Sequence, residues 1–324
     1  MKLKSKDLKS PRIIALAMLG TILIIISSLK ALGIDQDYFV YSKFLGYGNL
    51  SSFEYRFEPA TYLIRFLTSS NITFFFFIYA LLGISLKLVA IYKMSNNILV
   101  AVLGYLLSYY LLHDYTQVRA GVASALFLLA IHDLDKEKTL SYFTKSIIAI
   151  TFHFSAIIMV LIFPILKIKN KNFFVWLPVL GIILLSLDSI TSQTFTTLVN
   201  SNEYVHDLFK SKQGHEENIS VFSFLQISYL LFFMLFSVIR NKLKPVDLIC
   251  YKILSISLFI YYATLPLKIP VVTYRITEYL FVVIIVLIPN ITRYFKHREI
   301  MLPLLLMYFM LYGYHLIFNI GIIL

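Results

Sequence analysis

Residues 72–92 read ITFFFFIYALLGISLKLVAIY, a run in which Lys87 is the only charged side chain. A helix needs about 20 mostly apolar residues to cross the hydrocarbon of a bilayer, and this stretch is long enough. Similar runs lie at 13–32, 98–112, 118–131, 142–166, 173–187, 221–239, 248–265, 276–288 and 300–324. Some are short and need polar turns at their ends to complete them. The chain is 59% hydrophobic and 14% charged, where a soluble domain is usually about 45–50% apolar and about 25% charged. A soluble fold of 324 residues has no interior large enough for so much apolar surface, and disorder requires low hydrophobicity. The chain therefore reads as an all-α, polytopic membrane helix bundle of about 10–12 spans. It forms one integral membrane domain over 1–324, with outward-facing loops at 33–59 and 191–220.

Lys2, Lys4, Lys6, Lys9 and Arg12 precede the apolar run 13–29, as in a signal peptide. No small-x-small cleavage site follows, and Lys30 stands where one would fall, so the run reads as an uncleaved first membrane helix. Cys250 is the one cysteine, which leaves no internal disulfide and no cysteine-based metal site.

The net charge is +12. Basic clusters at Lys87/Lys93, Lys136/Lys138, Lys167/Lys169/Lys171, Arg240/Lys242/Lys244 and Arg293/Lys296/Arg298 mark cytoplasmic loops, because those loops carry the Lys and Arg excess. The N-terminus falls on the same side. All the clusters lie inside only if the segment 142–166 enters the membrane, turns near His153 and returns. Then 20 of the 29 Lys and Arg and 6 of the 17 acidic residues are inside, which leaves +14 there and −2 outside. Each arm of that turn has about 12 residues, or about 18 Å of helix, too short to span alone. The expectation is a broken or re-entrant hairpin near His153, tolerated where its tip is buried in protein or lines a wet cavity.

Several enzyme signatures are absent from the sequence: HExxH, GxSxG, a P-loop, GxGxxG after a strand, and any DxD metal motif. The remaining signal is ionisable residues within the membrane, each costing about 2.5–3.5 kcal/mol at a helix centre. Arg119 opens the fourth span in His113-Asp114-Tyr115-Thr116-Gln117-Val118-Arg119-Ala120-Gly121, where small neighbours leave room beside it. It either faces an anion in an outward cavity, or snorkels to the interface or pairs with Asp114. His153 sits at the hairpin tip, where a neutral imidazole suits a general base near pH 7. Arg275 precedes Glu278 by three residues, so a helical ion pair competes with a ligand role. Arg56, Glu58 and Pro59 stand just before the second span, with Arg65 two turns on. Pro59 suits a first helical turn, and Glu58 its cap. Asp188, His206, Asp207 and His215 read as loop residues. Four arginines thus face outward while lysine dominates inward. Arginine's planar fork grips phosphate bidentately, whereas lysine's point charge does not. The outer arginines suit a lipid diphosphate rather than a nucleic acid.

The set Phe57-Glu58-Pro59, Gln117-x-Arg119-x-Gly121-x-Ala123, Phe152-His153-Phe154-Ser155-Ala156 and Tyr274-Arg275-x-x-x-Tyr279 resembles the EpsG family of Wzy-type polysaccharide polymerases. The resemblance runs from about Tyr38 to Pro289, with order and spacing in agreement. It implies a GT-C-like, metal-independent glycosyltransferase without a cofactor. Such an enzyme joins undecaprenyl-diphosphate-linked repeat units for O antigen, capsule or exopolysaccharide at the outer face of the bacterial inner membrane. The implied partners are lipid-linked glycan donor and acceptor, the bilayer, a chain-length regulator and a flippase. On that reading Arg119 and Arg275 hold diphosphates with Arg56 or Arg65 in support, and His153 activates the acceptor hydroxyl, with Glu58 and Asp114 as alternative bases. Rival readings are a lipid-linked oligosaccharide flippase or exporter, an O-antigen ligase and, more distantly, a membrane acyltransferase. A flippase should carry charge through the full bilayer depth in two pseudo-symmetric halves, and no internal repeat is visible here.

Overall fold

A computed structural model describes residues 9–30, 36–47, 57–187, 223–267 and 270–319. Arg56 and the loop 191–220, with His206, Asp207 and His215, lie outside the described residues, as does Asp188. The described residues are mostly helical, without strands. The chain divides into two compact units, one of residues Met1–Ile157 with Phe295–Leu324, the other Ile158–Tyr294.

The first unit holds α1 (Lys9–Ser28), α2 (Gln36–Leu45), α3 (Pro59–Leu67), α4 (Ile72–Met94), α5 (Ile98–Tyr105), α6 (Val118–Asp135) and α7 (Thr139–Phe152). A π-helical stretch, Leu106–Thr116, continues α5, and a 3-10 turn, Phe154–Ile157, follows α7. Local chemistry sets the boundaries. Pro59 opens α3 behind Glu58. Asn71 caps α4 by accepting from Phe74 N–H at 2.9 Å, and Asn97 caps α5 by accepting from Val100 N–H at 3.4 Å. Such side chains satisfy amide groups that a helix start leaves orphaned. Helix α6 is the core of this unit, with Ala120 to Ile131 all buried and α4 and α7 packed along it.

The second unit holds α8 (Ile158–Leu166), α9 (Lys171–Ser186), α10 (Phe224–Ile239), α11 (Pro245–Thr264), α12 (Pro270–Phe281) and α13 (Ile284–Asn290). Its core is α11, where Cys250, Tyr251, Ile253, Leu254 and Leu258 are fully enclosed. Gly181 of α9 lets the two helices close up: a Cβ there would stand 2.9 Å from the Phe259 carbonyl oxygen. Lys252 turns its ammonium onto the carbonyls of Leu166 and Ile168, both at 2.7 Å, which takes up acceptors left free at the end of α8. The final helix, α14 (Arg298–Tyr314), belongs to the first unit.

Five described helices are long and apolar enough to cross a membrane: Pro11–Ser28, Ile72–Met94, Ile98–Thr116, Pro245–Thr264 and Arg298–Phe318. A bent pair, Thr273–Phe281 with Ile284–Arg293, makes a sixth if its 43° break is one span. Helices Phe154–Leu166, Lys171–Ser186 and Phe224–Ile239 are apolar but shorter. Other apolar runs of the sequence fall outside this count for physical reasons. The run 142–166 is divided at His153, and α6 carries Arg119, His132, Asp133 and Asp135 inside its length. Ile13, Ile14, Met18, Ile22 and Ile25 of α1 and Met307, Met310 and Leu311 of α14 are exposed, as lipid-facing side chains must be.

Two sequence expectations are corrected. The stretch 33–59 is not loop throughout, since it contains α2. Tyr38, Tyr41 and Phe44 recur at helical spacing and are buried, and Tyr41 sits in ring contact with Phe75 and Phe76 of α4. Lys87 is not a loop cation. It lies two turns inside α4 with no exposed side-chain surface.

Candidate functional site

The helix break at His153 is present as expected. Helix α7 ends at Phe152, and His153 is extended (φ −156°, ψ 118°) before the 3-10 turn begins. The direction of the chain beyond Ile157 belongs to the second unit. Within the first unit, α7 starts just after Lys138 and runs back along α6, so its end arrives beside the beginning of α6. Arg119 stands in that first turn, about 25 Å along the helix axis from Lys136 at the other end.

There the structure brings Glu58, Arg119 and His153 together. Arg119 Nη1 donates to Glu58 Oε2. The other carboxylate oxygen, Glu58 Oε1, accepts the Phe154 backbone N–H at 3.2 Å and lies 3.3 Å from His153 Nδ1. That imidazole contact is close enough for an ion pair but off the line of a direct hydrogen bond, and no other partner meets Nδ1 among the described residues. The Glu58 side chain is only 4% exposed, against 13% for His153 and 20% for Arg119. The carboxylate is therefore the sealed floor of the group, and the imidazole and guanidinium are its open edge.

Burial by itself would raise the Glu58 carboxyl. The contact with His153 and the charge of Arg119 outweigh it and hold the group at about 2, below its ordinary 4.5. A carboxylate so acidic is a poor proton acceptor, and its chemistry here is to stay charged and orient its neighbours. Tyr41 from α2 completes the seat of Arg119, its hydroxyl accepting from Nε at 2.8 Å. The guanidinium also lies over the rings of Phe57 and Tyr41, at 5.0 and 5.7 Å. Aromatic faces attract cations and hold the fork's plane. Two of the five guanidinium N–H groups are thus engaged, and the rest meet no protein acceptor among the described residues. Behind this layer, Thr61 and Tyr79 share a hydrogen bond of 2.9 Å, and Phe152 packs edge-on against Tyr79.

The other expected site residues lie elsewhere. Asp114 is committed to Lys87 Nζ at 2.7 Å and Tyr105 hydroxyl at 2.8 Å, so the alternative of an Arg119–Asp114 pair does not form. Arg65 is at the far end of α3, where it contacts Ser70 Oγ at 3.5 Å and lies over the Phe44 ring at 4.8 Å. Arg275 is exposed on α12 in the second unit. Sequence reasoning missed Tyr41, Lys87 and the buried contact of 3.0 Å between His113 Nδ1 and Ser124 Oγ. For Lys87 the signal existed, since a lone lysine inside an apolar run needs a counter-charge. For Tyr41, one tyrosine among many, there was none.

Among the described residues, no three His, Cys, Asp or Glu side chains converge where they could hold a metal ion. An open cavity of about 610 Å³, lined by Ser28, Asn71, Thr73, Phe74 and Phe77, shares no residue with the Glu58 cluster.

A family model described as the EpsG family matches residues 13–323, nearly the whole chain. No curated protein and no solved structure gives a significant match.

Proposed function

The chain belongs to the EpsG family, a Wzy-like polymerase family, and we propose that it joins undecaprenyl-diphosphate-linked oligosaccharide repeat units at the outer face of a bacterial inner membrane. The observation that carries this reading is the convergence of Glu58, Arg119 and His153 at one end of the first unit. The Lys136–Lys138 turn occupies the other end of α6. Since cytoplasmic loops collect lysine, that turn is assigned to the inside, with the N-terminus, and the cluster to the outside.

In the proposed reaction the growing glycan donates its anomeric carbon. A sugar hydroxyl of the acceptor unit attacks it, a glycosidic bond forms, and the bond from the anomeric carbon to the diphosphate oxygen breaks. Diphosphate leaves as a stable anion and needs no carboxylic acid to protonate it, unlike the leaving alkoxide in glycoside hydrolysis. What it needs is neutralisation of charge by groups already in place. Arg119 is suited to that task, because Tyr41, Phe57 and Glu58 fix its plane while part of its fork stays open. Arg275 is assigned to a lipid diphosphate as well, with Arg56 or Arg65 in support. His153 receives the hydroxyl proton. Glu58 is assigned the orienting role, since a group at about 2 holds its charge rather than trading protons.

Chain length in cells tests this. Arg119→Ala and His153→Ala should each replace the ladder of long glycans by single repeat units on the final carrier. Long polymer accumulating on the lipid carrier would instead identify a ligase. An unchanged ladder in both variants would refute the assignment.

A further inference from the structure

Beneath the Glu58 cluster lies a second charged group that the proposed reaction does not use. Helix α5 passes into a π-helical stretch, Leu106–Thr116, which ends at a sharp corner. Gln117 there has φ −84° and ψ 61°, outside any helical region, and α6 begins at the next residue. Arg119 is two residues past the corner, so its position depends on how the corner is held.

The corner is held from α4. Lys87 Nζ donates to Asp114 Oδ2 at 2.7 Å, before the corner, and to the Gly121 carbonyl oxygen at 2.9 Å, after it. Tyr105 hydroxyl adds a bond of 2.8 Å to the same carboxylate oxygen. Two glycines make the space. A Cβ on Gly83 would meet Asp114 Oδ1 at 2.3 Å, and one on Gly121 would meet it at 2.7 Å. Lys87 and Asp114 side chains are 0% and 1% exposed. A buried ion pair is a weak device for stability, because apolar residues of similar volume often serve as well or better. It is a good device for choosing one arrangement of a segment, since any other leaves charges unpaired. π-Helical segments, moreover, concentrate at functional positions.

We propose that Lys87, Asp114 and Tyr105 form a clasp that fixes the corner at Gln117 and so presents Arg119 to its ligand. They are positioning residues and touch no substrate. The link to catalysis rests on the functional reading above, but the clasp itself can be tested without it.

The test variant is Lys87→Met with Asp114→Asn, which removes both charges together and keeps the side-chain volumes. Tyr105→Phe is a second, milder variant should the first not reach the membrane. Two measurements apply. In the first, Gln117→Cys in a Cys250→Ala background is labelled with a maleimide in membranes. The double variant should label about tenfold faster and Tyr105→Phe to a smaller extent, as expected when a local opening costs less; unchanged labelling in both overturns the proposal. In the second, polymer formed per mole of folded protein is followed in a cycle with Arg119→Lys. If the clasp acts through Arg119, adding the clasp variant to Arg119→Lys costs little more, and the loss appears in kcat rather than KM. Losses that multiply would show that the clasp does not act through Arg119. Should Arg119 variants polymerise normally, the functional reading fails, while labelling still decides the clasp.

Discussion

Glu58 and Arg119, 61 residues apart in the chain, form an ion pair in which the carboxylate is buried and the guanidinium half-open. Glu58→Gln keeps the shape and removes the charge. Removing one partner of a buried pair typically costs about 3–5 kcal/mol, but the Arg119 side chain is 20% exposed, so water shares the burden. The expected loss is about 1–3 kcal/mol. Glycan polymerisation should fall at least about tenfold, because a fork without its anchor no longer holds one orientation. Thermal unfolding in detergent reads the first quantity, and the glycan ladder reads the second. A normal ladder would remove Glu58 from the site.

Acid should act through the same residue. A carboxyl at about 2 in the folded chain and near 4.5 when unfolded binds its proton more weakly when native. Its stabilisation is therefore complete above about pH 4.5, declines as pH falls, and is gone below about pH 2. Converted at about 1.4 kcal/mol per unit, the whole effect is at most about 3.5 kcal/mol. Other carboxylates titrate in this range, so the informative quantity is a difference. The gap in melting temperature between the wild type and Glu58→Gln should be constant from pH 7 to 5 and should narrow as pH drops toward 3. A gap that is independent of pH would mean that the charge of Glu58 is not what stabilises.

The three residues of this cluster were legible in the sequence because each interrupts an apolar pattern in its own way. Pro59 marks a helix start behind Glu58, Arg119 is a cation at the head of a membrane run, and His153 falls where charge balance demanded a turn. Their pairing was not legible. Asp114 is nearer to Arg119 in sequence than Glu58 is, and only the arrangement of α4 beside the corner gives Asp114 to Lys87. Lys87 itself passed for a cytoplasmic charge, because counting by loops ignores how far inside a helix a lysine sits. The helix α2 was hidden by its mixed composition: Gln36, Asp37, Ser42 and Lys43 mask the buried face formed by Tyr38, Tyr41 and Phe44. Hydropathy also does not distinguish a helix facing lipid from one like α6, enclosed by its neighbours.

Close packing gives a third prediction. At Gly83 an added methyl would press on Asp114, whose carboxylate is held from the other side by Lys87 and Tyr105 and has nowhere to move. Gly83→Ala should cost about 1–3 kcal/mol, as overpacking does, although alanine is the better helix former. Gly20 is a suitable control in another helix: its Cβ would come only to 3.0 Å of the flexible Leu88 methyl. Gly20→Ala should leave the melting temperature within a few degrees of wild type. If the two variants melt alike, the carboxylate has more room than the geometry gives it.

Arg275 makes the last prediction, because it separates a ligand role from a structural one. It is exposed on α12. Its replacement should leave stability within about 0.5 kcal/mol, as surface changes usually do. If it holds a lipid diphosphate, Arg275→Ala should nevertheless shorten the glycan. Arg275→Lys should restore only part of the length, since an ammonium supplies the charge but not the two-pronged geometry. Salt should weaken that partial rescue, because a single exposed charge is screened over about 10 Å at 0.1 M ionic strength. Polymerisation by purified protein at low and high salt measures this directly. Full activity of Arg275→Ala in both would confine the diphosphate-binding arginines to the first unit.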